Sequence, residues 1–374
     1  MGAYMKRRDF HRLLIYATAT TPFCGRMVLG ASASTIEVIP LQEEHVQDAA
    51  VLLTNHYLAI RQQQPALPSI DEAAMRMAEV RAERGLPAYD ENAGLLTLLT
   101  TRPFSPRPRR PAVAAFKDGQ LVGYLRTSDL DTNSAYTGMQ NLAVNQVYGD
   151  QIYREMYASV SQQWRAEGGT LHFVKVFAND KQANETWFSL GFGQVTIQGI
   201  RDTNYSHERA TGIEVVPAQA EHIDILVQIQ LEHRRSRSEA PMFIRYESPT
   251  SDSIEVLREV MEALLHATDN HCWVAFQNGN PAGMMNLRPP AGSGLSPLLQ
   301  MTRTVVVREW LTGEAARDPN VRGVLLDTAL YWARGQGYER CYIAFGAADN
   351  LAHNFWYSVG FQPIAYWLMR NTAL

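Results

Sequence analysis

An internal repeat constrains this chain more than any other feature. Ile36-Glu37-Val38-Ile39-Pro40-Leu41-Gln42-Glu43-Glu44-His45 recurs as Ile213-Glu214-Val215-Val216-Pro217-Ala218-Gln219-Ala220-Glu221-His222, and the echo continues without a gap to His56 and His233. A second echo pairs Ala115-Phe116-Lys117-Asp118-Gly119 and Gly123 with Ala275-Phe276-Gln277-Asn278-Gly279 and Gly283. A third pairs Asp180-x-x-Ala183-x-x-x-Trp187-x-Ser189-x-Gly191-Phe192 with Asp349-x-x-Ala352-x-x-x-Trp356-x-Ser358-x-Gly360-Phe361, and extends to Arg201 and Arg370. Three echoes in one order mean a duplicated domain of about 170 residues, too long a period for a solenoid. The copies are read as residues 35–207 and 208–374, with the boundary near 206–211.

Each copy follows the same coarse plan: a strand (36–39; 213–216), a helix after proline (42–60; 219–236) and a second helix (70–84; 253–266). A hairpin, a central strand, a helix, a strand, a helix and a last strand follow. Ser69-x-x-Glu72 is a capping box for the second helix of the first copy, and Gly85 is its stop. Asp118-Gly119 and Asn278-Gly279 carry the strongest short hairpin signal. Hairpins followed by strand–helix–strand units make the fold class α+β, with two tandem domains that each build a mixed, mostly antiparallel sheet flanked by helices. Arg102 to Pro111, rich in Pro and Arg, reads as a solvated loop before the first hairpin.

Composition removes several functions. The formal charge of −4, from 34 Lys+Arg against 38 Asp+Glu, carries no footprint for nucleic acid. Cys24, Cys272 and Cys341 are an odd count at no metal-ligand spacing, so neither a disulfide framework nor a metal site is expected. No apolar run reaches membrane-spanning length, and no membrane partner is expected. Lys6-Arg7-Arg8-Asp9-Phe10 with Ala31-Ser32-Ala33 has the form of a twin-arginine export leader. The short Leu13–Ala19 stretch, interrupted beyond by Pro22 and Arg26, fits equally an early start codon with Met27 as the true one. Residues 1–34 are therefore kept out of the fold. The expected location is the cytoplasm, with export as the alternative.

The order of elements, closing each time on Asp, Ala, an aromatic and Gly-Phe, resembles the GNAT superfamily of acyl-CoA-dependent N-acyltransferases over residues 35–374. The most specific stretch is Ala352-His353-Asn354-Phe355-Trp356-Tyr357-Ser358-Val359-Gly360-Phe361. Arg322-Gly323-Val324-Leu325-Leu326-Asp327-Thr328-Ala329-Leu330-Tyr331-Trp332-Ala333-Arg334 resembles the family's cofactor-binding helix. The resemblance implies acetyl-CoA as cosubstrate. It also implies a backbone N–H on a splayed central strand, read here at Gln300 to Val307, that stabilises charge on the thioester oxygen. The pyrophosphate goes to a helix N-terminus, which the family builds as Gln/Arg-x-x-Gly-x-Gly/Ala.

Neither copy keeps those small residues. Copy two has Arg317-Asp318-Pro319-Asn320-Val321-Arg322 at the loop, so the phosphates would fall to two arginines beside Gly323. Copy one has Gly149-Asp150-Gln151-Ile152-Tyr153-Arg154, with an acid in the way, and its nearby Gln146-x-x-Gly149-x-Gln151 is out of register. Copy two is thus the expected working half, and copy one degenerate or structural. The implied cofactor contacts are Val305, Val306, Val307, Arg317, Asn320, Val321, Arg322, Gly323, Val324, Asn350 and Trp356. Many members carry a Tyr as general acid where this chain has Trp187 and Trp356, and an indole cannot give up its proton to a departing thiolate. Tyr357 is the neighbouring hydroxyl and the candidate acid, although one helical step of about 100° turns it aside.

His233, Glu232 and His271 are candidate bases, with the echo of His233 in His56 favouring a duplicated structural role. The basic run His233-Arg234-Arg235-Ser236-Arg237 reads as a solvated helix end, and would favour an acidic acceptor if it lined the cleft. Gly292-Ser293-Gly294 reads as a loop before the central strand. The expected activity is N-acetyl transfer to a small-molecule amine by direct transfer, in a monomer or homodimer. The alternative is a non-catalytic metabolite- or CoA-binding protein of the same fold.

Overall fold

In the computed structural model the described residues are 35–69, 110–208, 210–244, 251–290, 296–299 and 302–373. The leader, the helix expected at 70–84 with the Glu72 of its capping box, most of the Arg102–Pro111 loop, Gly292-Ser293-Gly294 and Gln300 lie outside them.

The first half runs β1 (Glu37–Pro40), α1 (Val46–Gln63), β2 (Ala112–Lys117), β3 (Gln120–Arg126), β4 (Asp129–Leu130), β5 (Ser134–Thr137) and β6 (Leu142–Val144). It continues with α2 (Gly149–Ala166), β7 (Leu171–Phe177), α3 (Lys181–Ser189) and β8 (Gly193–Asp202). The second half runs β9 (Ile213–Pro217), α4 (Ile223–Ser238), α5 (Ser251–His266), β10 (His271–Gln277), β11 (Asn280–Arg288) and β12 (Thr304–Leu311). It closes with α6 (Pro319–Gly335), β13 (Arg340–Gly346), α7 (Asn350–Ser358) and β14 (Gln362–Asn371).

The echoes have local physical causes. In the first, the backbone N–H of Gln42 donates to His45 Nδ1 at 3.1 Å and that of Gln219 to His222 Nδ1 at 3.0 Å, starting a 3-10 turn ahead of each first helix. In the second, Asp118-Gly119 sits at φ 50° and 77° and Asn278-Gly279 at φ 50° and 80°, the pair of positive values that a two-residue hairpin turn demands. In the third, Asp180 and Asp349 cap their helices by accepting from Ala183 and Ala352 N–H, each at 3.0 Å. Trp187 and Trp356 are fully buried, so that echo is an N-cap followed by a core tryptophan.

Strands β1-β2-β3-β6 form one sheet, and the second half repeats that order as β9-β10-β11-β12. The latter belongs to a ten-stranded sheet ordered β4-β5-β7-β14-β8-β13-β12-β11-β10-β9. The last strands of the two halves are exchanged. β14 pairs antiparallel with β7 of the first half, and β8 pairs antiparallel with β13 of the second. Residues 36–374 accordingly form one compact unit. The linker between β8 and β9 packs on α6, where a Cβ on Gly323 would stand 2.7 Å from the His207 ring, so only glycine lets that ring seat.

Candidate functional site

The site comes from two parallel strands that part. β12 and β13 pair from Thr304↔Arg340 to Val307↔Ile343. Beyond Val307, β12 stays on β11, through Asn286↔Arg308 to Gly283↔Leu311, while β13 stays on β8, through Ala344↔Gln198 to Gly346↔Thr196. Each strand keeps its outer partner, and a cleft of about 330 Å³ opens between them. Alternation along β12 puts Val305, Val307 and Leu311 in the core under α6, and Glu309 shares their face. Val306 and Arg308 take the opposite face.

His233 closes the mouth, with its Nδ1 3.3 Å from both the N and the O of Leu311. The backbone N–H of Glu309, two residues earlier, points to the same edge and so into the cleft. Arg322 reaches from α6 to Glu309, Nε to Oε2 at 2.9 Å, and is only 4% exposed. Burial raises the Glu309 carboxyl above its ordinary value against the opposing pull of Arg322. Burial, with the charge of Arg237, pushes His233 down to about 4, so its ring is neutral at pH 7. Arg237 stands 3.8 Å from Asp349. Gln198 Oε1 and Tyr342 Oη belong to buried residues of the cleft wall and lack a protein hydrogen-bond partner. Burial holds the Tyr342 phenol well above its ordinary value, so it keeps its proton. Two orphaned polar groups on one cavity wall are what a ligand site leaves behind when protein atoms alone are counted.

The first half has closed the same opening. β5 pairs with β7 up to Thr137↔Val174 and β6 leaves on β3, but Leu298 and Leu299 from the second half fill the space with Met139, Ala143 and Phe177. His56, the echo of His233, sits with its Nε2 3.2 Å from Asp180 Oδ2, both nearly inaccessible. Asp150, at the expected phosphate position, accepts from Thr186 at 3.0 Å and pairs with Arg154. The repeated histidine and aspartate thus touch in the closed half, whereas in the open half they face a cavity.

The expected contacts divide. Val306 and Val307 line the cleft, yet with Val305 they are paired to β13, so the free edge begins at Arg308, and β12 ends at Leu311 rather than Val307. Arg322 lies in the cleft but is committed to Glu309, and the N–H of Asn320 is taken by the Asp318 carboxylate at 2.9 Å. Asp318 also accepts from Gln277 at 2.7 Å, so this helix start is capped by its own acid. Val321 is core, Gly323 packs the linker, Val324 is half-buried, and Arg317 and Asn350 are exposed at the starts of α6 and α7. Trp356 is core, with Phe361 at 5.0 Å. Tyr357 is outside the cleft wall, stacked on His353 at 4.5 Å with the Phe345 ring at 6.4 Å, because Trp356 points inward and the next residue is turned from it. Of the candidate bases, His233 lines the cleft, while Glu232 is bonded to Gln228 and His271 is stacked on Trp332.

Residues 235–361, which hold α6, α7, both parting strands and the Asp349–Phe361 echo, match the model of the acetyltransferase (GNAT) family. The second half carries a GNAT domain. Members of that family are acyl-CoA-dependent N-acyltransferases. A GCN5-related glucosamine N-acetyltransferase region of a fungal multi-domain GH3 β-N-acetylglucosaminidase is 14% identical with a TM-score of 0.50, over 90% of this chain and 38% of that one. A tandem GNAT protein from the clavulanic acid biosynthesis pathway is 14% identical with a TM-score of 0.43, over 91% of this chain and 99% of that one. A GCN5-related N-acetyltransferase from Sphaerobacter thermophilus is 11% identical with a TM-score of 0.47, over 82% and 95%. Identities this low speak to the fold alone. No curated protein matches the sequence.

The GNAT domain holds residues the sequence reading missed. Glu309 had a signal: a carboxylate in phase with Val305 and Val307 on a strand that α6 buries. Gln198 had none, since it reaches the cleft only through strand exchange.

Proposed function

We propose that the cleft between β12 and β13 is the acyl-transfer site of an acetyl-CoA-dependent N-acyltransferase acting on a small-molecule amine. The observation that carries this reading is a parted parallel strand pair with a backbone edge open at Glu309, beside a buried carboxylate of raised proton affinity. The residues present fit the thioester arm of acyl-CoA: an open strand edge for its amides and unpaired polar atoms at Gln198 and Tyr342. Its phosphates meet Arg317 at the surface rather than a glycine cradle.

Bound acyl-CoA supplies a thioester carbon, to which the amine nitrogen bonds as the carbon–sulfur bond breaks and a thiolate leaves. The Glu309 N–H donates to the carbonyl oxygen as negative charge builds there. The Glu309 carboxylate takes the proton the attacking nitrogen sheds, directly or through one water. Arg322 positions that carboxylate, His233 holds the edge of β12, and Tyr342 donates a hydrogen bond into the cleft.

Glu309→Gln keeps an acceptor for Arg322 and removes the base, so kcat for thiol release from acetyl-CoA should drop by about 100-fold or more. The acid limb of the pH–rate profile should vanish with it. A rate and pH profile like those of the unmodified protein would remove Glu309 from the chemistry. Tyr342→Phe should leave the melting temperature unchanged or higher, because no partner is stranded, while transfer slows about tenfold. A loss of stability with transfer intact would make the hydroxyl structural.

The second reading, a non-catalytic binding protein, is favoured by one observation: Asn320 and Arg322 occupy the positions the family leaves small for phosphate, the N–H of the first taken by Asp318 and the side chain of the second by Glu309. Calorimetry separates the two. Saturable acetyl-CoA binding at one site per chain, worth about 2.7 kcal/mol of stability at 100 times the dissociation constant, together with thiol release when an amine is added, supports the enzyme. Binding without thiol release across an amine panel supports the alternative.

A further inference from the structure

The two halves settle the same corner in opposite ways, and two positions make the difference. One helical turn after the repeated histidine, the first half has Ile60 and the second Arg237. Just ahead of the repeated aspartate, the first half ends β7 on Phe177 and the second ends β13 on Gly346. Ile60 and Phe177 are core residues in one cluster with Leu298 and Leu299, and the Phe177 ring lies 6.3 Å from that of His56. With apolar side chains filling the corner, His56 turns its Nε2 to Asp180 Oδ2 and leaves its Nδ1 without a partner.

In the second half a glycine empties that corner and an arginine enters it. A Cβ on Gly346 would stand 3.3 Å from Arg237 Nη2 and against Met242 Cε, so the guanidinium rests on bare backbone where the first half keeps a ring. From there Arg237 Nη1 stands 3.8 Å from Asp349 Oδ2, the oxygen that matches the one His56 holds on Asp180. The other oxygen of each aspartate caps its helix. His233 makes no pair with Asp349 and keeps its Nδ1 on the backbone of Leu311 instead. One histidine thus has two seats, a capping carboxylate in the closed half and a strand edge in the open one. Around His233, burial and the charges of Arg237 and Arg322 oppose protonation, and Asp349 favours it.

We infer that Arg237 is a positioning residue that keeps the cleft open: seated on Gly346 and facing Asp349, it holds the capping carboxylate away from His233 and so leaves His233 on the edge of β12. This rests on the acyltransferase reading of the same cleft, and adds the residue that keeps the second half from closing as the first has done.

The test uses the full chain. Arg237→Ile installs the residue of the first half, and Arg237→Ile with Gly346→Phe installs both residues and refills the corner should the single variant fail to fold. Arg237→Lys keeps a cation at Asp349. The ring of His233 is followed by proton NMR through a pH titration, its signal assigned by its loss in His233→Gln. In the parent the ring titrates near about 4 and stays neutral at pH 7. Both Ile variants should move that titration up by about one pH unit or more, because Asp349 then pairs with the ring and the charge of Arg237 is gone. Arg237→Lys should titrate like the parent. In Arg237→Ile the affinity for acetyl-CoA, read by calorimetry, should fall about tenfold if about a tenth of the molecules stay open, and Arg237→Lys should restore it. An unmoved His233 titration in both Ile variants, an equal shift in Arg237→Lys, or a shift with acetyl-CoA affinity unchanged would each overturn the inference. The acyltransferase reading fails separately, by a parent that releases no thiol from acetyl-CoA with any amine, and the titration of His233 does not depend on that result.

Discussion

Produced alone, residues 210–373 are expected to be insoluble or to lack a cooperative unfolding transition. β13 would lose β8 along the whole register from Arg340↔Asp202 to Gly346↔Thr196, and β14 would lose both neighbours, β7 and β8. Three open edges of apolar strand would then face water. Ile197, a first-half residue in the core under α6, would leave its place among Val305, Ile343 and Phe345. Opening the chain within the linker and producing both pieces together should restore a folded complex, because every strand pair can then form between the pieces. Soluble yield and thermal unfolding by circular dichroism check this. An isolated second half that melts cooperatively near the temperature of the whole chain would show that the exchanged strands are dispensable.

Lys175→Met should make the protein more stable at pH 7, by about 2–5 kcal/mol. Lys175 lies in β7 at 2% exposure, its Nζ has no hydrogen-bond partner, and the nearest compensation is the Trp367 ring at 5.3 Å. Burial pushes the amine from 10.5 down to about 7. Between those values the unfolded chain holds a proton that the folded chain has released, so stability rises with pH from about 7 to 10.5 and the cost is fully present below 7. Met fills similar space without the charge, and should abolish that rise. Urea titrations at pH 6, 8 and 10 read both effects. A variant less stable than the parent at pH 7, with the slope retained, would mean that the ammonium is satisfied in the folded state.

The resemblance, the α+β class and the tandem architecture were legible because they rest on local chemistry that repeats. A capping aspartate, a turn of two positive φ angles and a core tryptophan act within about ten residues of themselves, and a duplication prints them twice. The candidate site was legible only in part. Arg322 was singled out for its charge and does line the cleft, yet its partner Glu309, thirteen positions earlier, turns that charge inward. Tyr357 was reached by sequence proximity to a family position, and one helical step was enough to turn it away.

The sequence by itself determined the elements, their order and the fact that two similar domains follow one another, since these depend on neighbours along the chain. Only the tertiary structure decided where β12 and β13 part, because that depends on which outer partner each strand keeps. It also decided that the first half is plugged by Leu298 and Leu299, and that Gln198 of the first half completes the cleft of the second. Both follow from exchanging β8 and β14, an arrangement that buries the same side chains as unexchanged strands would and so leaves no mark on the pattern of apolar residues.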